Sequence, residues 1–315
     1  MAPSIPFGAR STADQVLAGI DLTRKRMVVI GCHGDIGLET MKALVANGAH
    51  VIGLAPALED ARSACSAAGT SSTPIACDLA DFASIDSAAD SICGLPGPLD
   101  AIIATTERVD SPVPTRHHGG KLQHIVEYIG HFALINRLTD RVRSNSGRIV
   151  MVSSDVSHAP TEAVTFDNLD DPPVYEPLVY GQAQSANAIY AKELSRRLAP
   201  RGVSVNSWDP GSSRGAGLND RRGWAQRLID PVARLFMRSA AQRAATAALL
   251  AASPLVAGLS GAYWSNCRIT RDNPLLADEI LAKRFWETSE QIVTAIRAAP
   301  QIAPQAAAGN SAVRA

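Results

Sequence analysis

Tyr180 lies in the segment LVYGQAQSANAIYAKELSRRL, and four residues after it stands Gln184. In a helix those two positions share a face. A lysine at 184 would pull the phenol's pKa down, whereas Gln184 donates a hydrogen bond but carries no charge. Tyr180 is therefore expected near the unperturbed value of about 10, a poor setting for proton transfer at neutral pH. Further polar side chains fall at the carboxyl ends of apolar segments: His33, Glu107, Ser154, Asp155 and Asp209. A carboxylate in an apolar pocket takes a raised pKa and serves as a general base, the chemistry Asp209 would supply. Tyr180 and Ser154 together can donate hydrogen bonds to a carbonyl oxygen as enolate charge develops. Such a set suits isomerisation, dehydration or intramolecular cyclisation. Plainer readings stand beside these: Ser154 and Tyr180 as satisfied packing hydroxyls, Asp209 as a loop cap, and His117 and His118 as surface residues of the TRHHGG loop. The histidines lack tight spacing with another acid or thiol, so no metal is expected.

The elements that must position these residues alternate between strands and helices. Short apolar runs at Met27–Gly31, Ala49–Leu54, Thr73–Ala76, Leu99–Thr105, Arg148–Ser153, Val203–Trp208 and Gly261–Trp264 read as strands. Between them lie helices near 36–47, 58–68, 82–93 and 120–143, and the Tyr180 helix, which runs to about 198. Continuous β-branched runs bounded by helices predict an α/β fold: a Rossmann-like, doubly wound parallel sheet with helices on both faces. Ser11 or Thr12 is expected to cap a short helix in STADQVLAGI, with Asp14 or Gln15 as its reciprocal partner. Residues 1–23 read as an arm with that helix, 24–297 as a single domain, and 298–315, rich in Ala, Pro and small polar residues, as a disordered tail.

Composition narrows the partners. The 30 Lys+Arg balance the 30 Asp+Glu, which leaves no electrostatic case for nucleic acid or an anionic membrane. Cys32, Cys65, Cys77, Cys93 and Cys267 are widely spaced and odd in number, indicating neither a disulfide framework nor a zinc cluster. No basic-then-apolar leader opens the sequence, and no apolar run reaches the roughly 18 residues needed to span a bilayer. A cytoplasmic protein acting on a small molecule is the expectation.

The first strand, turn and helix read VVIGCHGDIGLET. Gly31, Gly34 and Gly37 suit a dinucleotide site, where backbone must approach a pyrophosphate at a helix start. Asp35 opposes that use, either as a simple cap or as an anion standing in for the phosphate. Taken with CDL at 77–79, the GHF of Gly130–Phe132, GRIVMVSS ending at Ser154, Tyr180, SANAIYAKEL and DPG at 209–211, this loop makes the chain resemble the short-chain dehydrogenase/reductase family. The likeness is nearest to the retinol-dehydrogenase-like branch and runs from about Phe7 to Asn273.

That resemblance implies NAD or NADP as cofactor, interconversion of alcohols and carbonyls, and a catalytic Asn-Ser-Tyr-Lys quartet. Ser154 matches the serine that binds the reacting oxygen, and Tyr180 the proton donor or acceptor. The two are 26 residues apart, across the insertion TEAVTFDNLDDPPVYEP. Gln184 takes the place of the lysine and Glu127 that of the asparagine. The family's TGxxxGxG appears as IGCHGDIG, with Ile30 and Asp35 as departures. NNAG has become ATTE, ending at Glu107, and Pro56 stands where NADP-preferring relatives often carry arginine. Asp78 matches the adenine-side contact, and Pro210 and Gly211 lie beside the nicotinamide region. The resemblance further implies a substrate lid near 212–237 and a homodimer or homotetramer built on the long helices.

A cleft for phosphates has thus lost a positive charge and gained Asp35, Glu107 and Glu127. A buried like-charge contact costs several kcal/mol, against about 8 kcal/mol for micromolar binding. The sequence therefore points first to a non-redox enzyme that uses no nicotinamide cofactor. It would carry out acid–base chemistry on a medium-sized apolar or aromatic carbonyl compound. An NAD- or NADP-dependent oxidoreductase is the alternative, and a catalytically silent binding protein a third reading.

Overall fold

The computed structural model describes residues 5–105, 116–117, 120–121, 125–153, 176–211, 238–270 and 274–298. Its aliphatic runs become β1 (Arg26–Ile30), β2 (His50–Ala55), β3 (Ser72–Ala76), β4 (Ala101–Ala104), β7 (Arg148–Val152), β8 (Ser204–Asp209) and β9 (Tyr263–Ser265). These strands pair in parallel, and β10 (Arg268–Ile269) adds an antiparallel edge in the order β10-β9-β8-β7-β4-β1-β2-β3. A small separate hairpin joins β5 (Arg116–His117) to β6 (Gly120–Lys121). In the centre Val28 is in register with Ile52 on one side and Ile102 on the other, all fully buried. The chain winds outward from β1 to β3 and then returns to β4 on the opposite side of β1. That reversal opens a crevice beyond the carboxyl ends of β1 and β4, where sheets of this kind bind ligands.

Helices flank the sheet. α2 (Asp35–Ala46) and α3 (Leu58–Ala68) pack together, and α1 (Ala13–Leu17) lies against α2 and against α8 (Ala245–Ala252). Thr12 caps α1 through a complete capping box with Gln15, one of the two pairings the sequence offered. α7 (Ala240–Arg243) leads into α8 with a second capping box, Ser239 with Gln242. The other group holds α4 (Phe82–Cys93), α5 (Gly130–Leu138) and α6 (Glu176–Leu198), the helix that carries Tyr180. No helix among the described residues is long and apolar enough to cross a membrane.

Two departures from the sequence-based expectation matter. The helix expected near 120–143 is instead a π-helical turn (Ile125–Ile129), the nine-residue α5, and a 3-10 turn (Thr139–Arg141). Gly130 sits at that joint because a Cβ there would lie 2.3 Å from the Leu79 carbonyl. The second departure is α10 (Glu279–Ala298), which follows the short α9 (Pro274–Ala277) and which no motif announced. Its buried face, Ala282, Phe285, Trp286, Ser289, Val293 and Ile296, has helical three-and-four spacing. Phe285 and Trp286 close an aromatic cluster with Tyr128, Phe132 and Tyr190. Arg197 stacks 4.1 Å above Trp286, and Arg297 pairs with Asp86 at 2.7 Å. The chain's own α10 thus packs along α6.

At the opposite edge of the sheet, Asp100 ties the strands' amino ends together. It accepts from Arg143 at 2.7 Å, the Arg26 amide at 3.0 Å and Lys25 at 3.2 Å. Burial pushes this carboxyl up, but the Arg143, Arg26 and Lys25 hydrogen bonds together outweigh it and hold it below the ordinary value. A depressed native pKa adds stability above the unfolded value of about 3.9, lost as pH falls through the native one. Asp100→Asn should therefore lower the urea midpoint at pH 7, with the difference from wild type shrinking towards pH 2. Trp286→Ala should cost about 3–5 kcal/mol in the same assay, as for a buried tryptophan.

Candidate active site

The crevice at the carboxyl ends of β1 and β4 is built from three backbone segments in unusually close contact. Gly31 leaves β1 with φ +83, a conformation that costs glycine nothing. The amides of Gly31 and Cys32 both donate to the Leu54 carbonyl, at 2.9 and 3.0 Å. Gly34 turns back to the Gly31 carbonyl at 3.2 Å and becomes the N-cap of α2. Gly37, inside the first turn of α2, is pressed against β1: a Cβ there would lie 2.1 Å from the Gly31 carbonyl oxygen and 2.8 Å from Thr105 Oγ1. Thr105, nearly fully buried, donates its hydroxyl to the Ile30 carbonyl at 2.8 Å.

Three glycines and one threonine therefore fix where α2 begins. The glycine N-cap offers no side-chain oxygen to the first amides of the helix. Free helix-start amides beside a glycine turn are a site for anionic oxygens, phosphate above all. These residues fit the diphosphate of a dinucleotide. Asp35, the first residue of α2, is exposed. In the first turn its carboxylate gains from the helix field. Cys32 is buried beneath the turn, and burial, reinforced by neighbouring Cys65, pushes its thiol up to about 12, which excludes it as a nucleophile at neutral pH.

The other sequence-selected residues spread along the same edge. Asp78 follows β3, and its Oδ1 accepts from the Ala80 amide at 2.9 Å, closing a turn. Asp209 ends β8: Oδ1 accepts from the Gly211 amide at 2.7 Å and Oδ2 from Ser265 Oγ at 3.2 Å. The carboxylate thereby holds the turn at Pro210–Gly211. Tyr180 and Gln184 lie one turn apart on the backbone of α6, and Glu127 lies in the π-helical turn; their side chains are outside the described residues. Ser154 and Glu107 are outside them altogether, as is the 212–237 stretch. Among the described residues no group of His, Cys, Asp and Glu side chains is arranged to hold a metal.

Sequence reasoning missed two polar contributors. Thr105 was hidden in a segment read for its departure from a glycine-containing pattern, although a hydroxyl at a strand end next to a glycine turn was a usable signal. Arg238 carried no motif and reaches the site only through the fold: its guanidinium lies against Gly211.

A doubly wound sheet with a glycine turn leading into an uncapped helix at its switch point defines a Rossmann-like α/β protein. The chain belongs to the short-chain dehydrogenase family, whose model matches residues 25–224. A "WW domain-containing oxidoreductase" of Pongo abelii is 30% identical over 301 residues, covering 91% of this chain and 72% of that protein. A "Probable oxidoreductase" of Streptomyces antibioticus is 32% identical over 303 residues, covering 85% of this chain and 97% of the other. The crystallised Pseudomonas aeruginosa RhlG/NADP active-site complex shares the fold, with a TM-score of 0.59 and 20% identity over 78% of this chain and 96% of that one.

These findings correct the expectation of a site without a nicotinamide cofactor. The family is one of dehydrogenases, the relatives are named oxidoreductases, and the fold is one that elsewhere holds NADP. The physical reason for the error lies in the backbone geometry. Counting acids around the loop gave Asp35 more weight than the close junction of Gly31, Gly37 and Thr105, which keeps the backbone approach a dinucleotide needs.

Gly37→Ala tests the junction. Overpacking against a backbone carbonyl should cost about 1–3 kcal/mol in urea unfolding and weaken binding of NADP(H) at least about ten-fold. Wild-type stability with wild-type binding would mean that the close approach of α2 to β1 is not needed.

Proposed function

We propose that the protein is an NAD- or NADP-dependent oxidoreductase that interconverts an alcohol and a carbonyl, in the retinol-dehydrogenase-like branch of its family. The observation that carries this is the intact junction of Gly31, Gly37 and Thr105 at an uncapped helix start. The names of its curated relatives support the same reaction class. When bound, the dinucleotide gives a hydride to, or takes one from, the carbon bearing the reacting oxygen.

Ser154 holds that oxygen by a hydrogen bond, and Tyr180 moves the proton at its phenolic oxygen. Without a cation at 184, the phenol keeps its proton up to about pH 10. A neutral phenol is the form needed to protonate an alkoxide, so carbonyl reduction is the direction favoured at neutral pH. Alcohol oxidation needs the phenolate and is correspondingly slow there. Asp209 holds the Pro210–Gly211 turn in place. The substrate is a medium-sized apolar or aromatic carbonyl compound, consistent with Trp224, Leu228, Leu235 and Phe236 in the 212–237 sequence.

Isothermal titration of the purified protein with NAD+, NADH, NADP+ and NADPH tests the reading: at least one form should bind with a dissociation constant of roughly micromolar order. Absence of binding at millimolar concentration would refute it. For the active pair, alcohol oxidation should rise with pH towards about 10, Gln184→Lys should move that rise to lower pH, and Tyr180→Phe should remove turnover in both directions.

A further inference from the structure

The carboxyl end of β8 is closed by a ring of polar contacts that runs through two strands. Asp209 binds the Gly211 amide and Ser265 Oγ, and Asn266 Nδ2 reaches Ser265 Oγ at 3.2 Å. Asn266 Oδ1 in turn accepts Nη1 of Arg238. The guanidinium then lies over the α-carbon of Gly211, where a methyl group would meet Nη2 at 1.7 Å and Cζ at 2.3 Å. Gly211 has φ +80, so the turn itself demands glycine, and the missing side chain is the space the guanidinium occupies. Asn266 also takes a left-handed backbone, φ +55, to present its amide.

Arg238 is half-buried, and among the described residues its guanidinium donates to Asn266 alone and forms no ion pair. A guanidinium has five N–H donors in a fixed fork and stays charged at every working pH. Here it is positioned by Asn266 and Gly211 at the end of the sheet where ligands bind. Burying part of a cation without a carboxylate partner is costly, and an anionic ligand would offset that cost.

We propose that Arg238 is a specificity-determining residue that reads an anionic oxygen of the ligand in this cleft. The shared chemistry is a charge-assisted, fork-matched hydrogen bond to a phosphate of the dinucleotide or a carboxylate of the substrate. The inference deepens the oxidoreductase reading and rests on it.

The test compares wild type, Arg238→Met and Arg238→Lys, with circular dichroism to verify folding. Two quantities are measured: the dissociation constant of NADP+, and KM for a matched pair of aldehydes, one bearing a carboxylate and the other the corresponding carboxamide. Loss of one charge-assisted hydrogen bond weakens binding about ten-fold. Arg238→Met should show that loss in the NADP+ arm if the anion is a phosphate. It should show it in KM for the carboxylate aldehyde alone if the anion belongs to the substrate. Arg238→Lys should recover part of the loss in the same arm, since it keeps the charge but not the fork. Wild-type constants for Arg238→Met in both arms would overturn the proposal. If the wild type itself neither binds NADP+ nor turns over either aldehyde, the oxidoreductase reading has failed. Titration with inorganic pyrophosphate then decides Arg238 independently: weaker binding by Arg238→Met supports it, and equal binding, or none by the wild type, overturns it.

Discussion

Everything at the ligand-binding edge of this protein depends on how closely α2 can approach the end of β1. The carbonyl of Gly31 occupies the place where a side chain at 37 would be, so a residue with no Cβ is needed there. Thr105 reaches across from β4 and binds the carbonyl preceding that point. Once these contacts form, the helix start, the strand end and the neighbouring strand are one rigid unit. The first amides of α2 then have a fixed position from which to meet an anion. A shift of α2 by even one side chain's width would displace that position and reopen the buried core beneath it, where Ile36, Met41 and Leu44 have no exposure above 1%.

The sheet's two ends do different work. At the amino end Asp100 gathers Lys25, Arg143 and the Arg26 amide, and at the carboxyl end glycines and short polar side chains leave backbone groups available. Charged side-chain ties thus gather at one end and ligand-accessible backbone at the other, the division expected of a doubly wound fold. α10 adds a third layer over α6. Its aromatic contacts with Tyr128, Phe132 and Tyr190 steady the helix whose earlier turns carry Tyr180 and Gln184.

Much of this was legible in the sequence for definite reasons. The parallel strands showed as continuous aliphatic runs, the α1 start as a Thr12–Gln15 pair, and the nucleotide turn as glycines at 31, 34 and 37. What was hidden depends on direction and distance. Asp35 reads as hostile to a phosphate only if its side chain points inward, and sequence does not encode that. Arg238 lies 27 positions beyond Gly211 and becomes its neighbour only when β8 and β9 are paired. The π-helical turn before α5 ends where Gly130 packs against Leu79, a long-range contact that no local periodicity reveals. α10 has a clear helical period but carries no chemical motif.

In the proposed oxidoreductase the most specific consequence follows from Gln184, because Tyr180 would work from an unassisted phenol. A neutral donor protonates an alkoxide readily and removes a proton from an alcohol poorly, so the proposed chemistry would be asymmetric in pH rather than absent. The measurement that bears most directly on this is transfer of deuterium from NADPH or NADH labelled at both C4 positions to a panel of apolar and aromatic aldehydes and ketones at pH 7, read by mass spectrometry of the alcohols. The account predicts an alcohol carrying one deuterium on the former carbonyl carbon. Labelled cofactor that binds but is returned unconsumed with every substrate, or carbonyl substrates converted without deuterium gain, would contradict it.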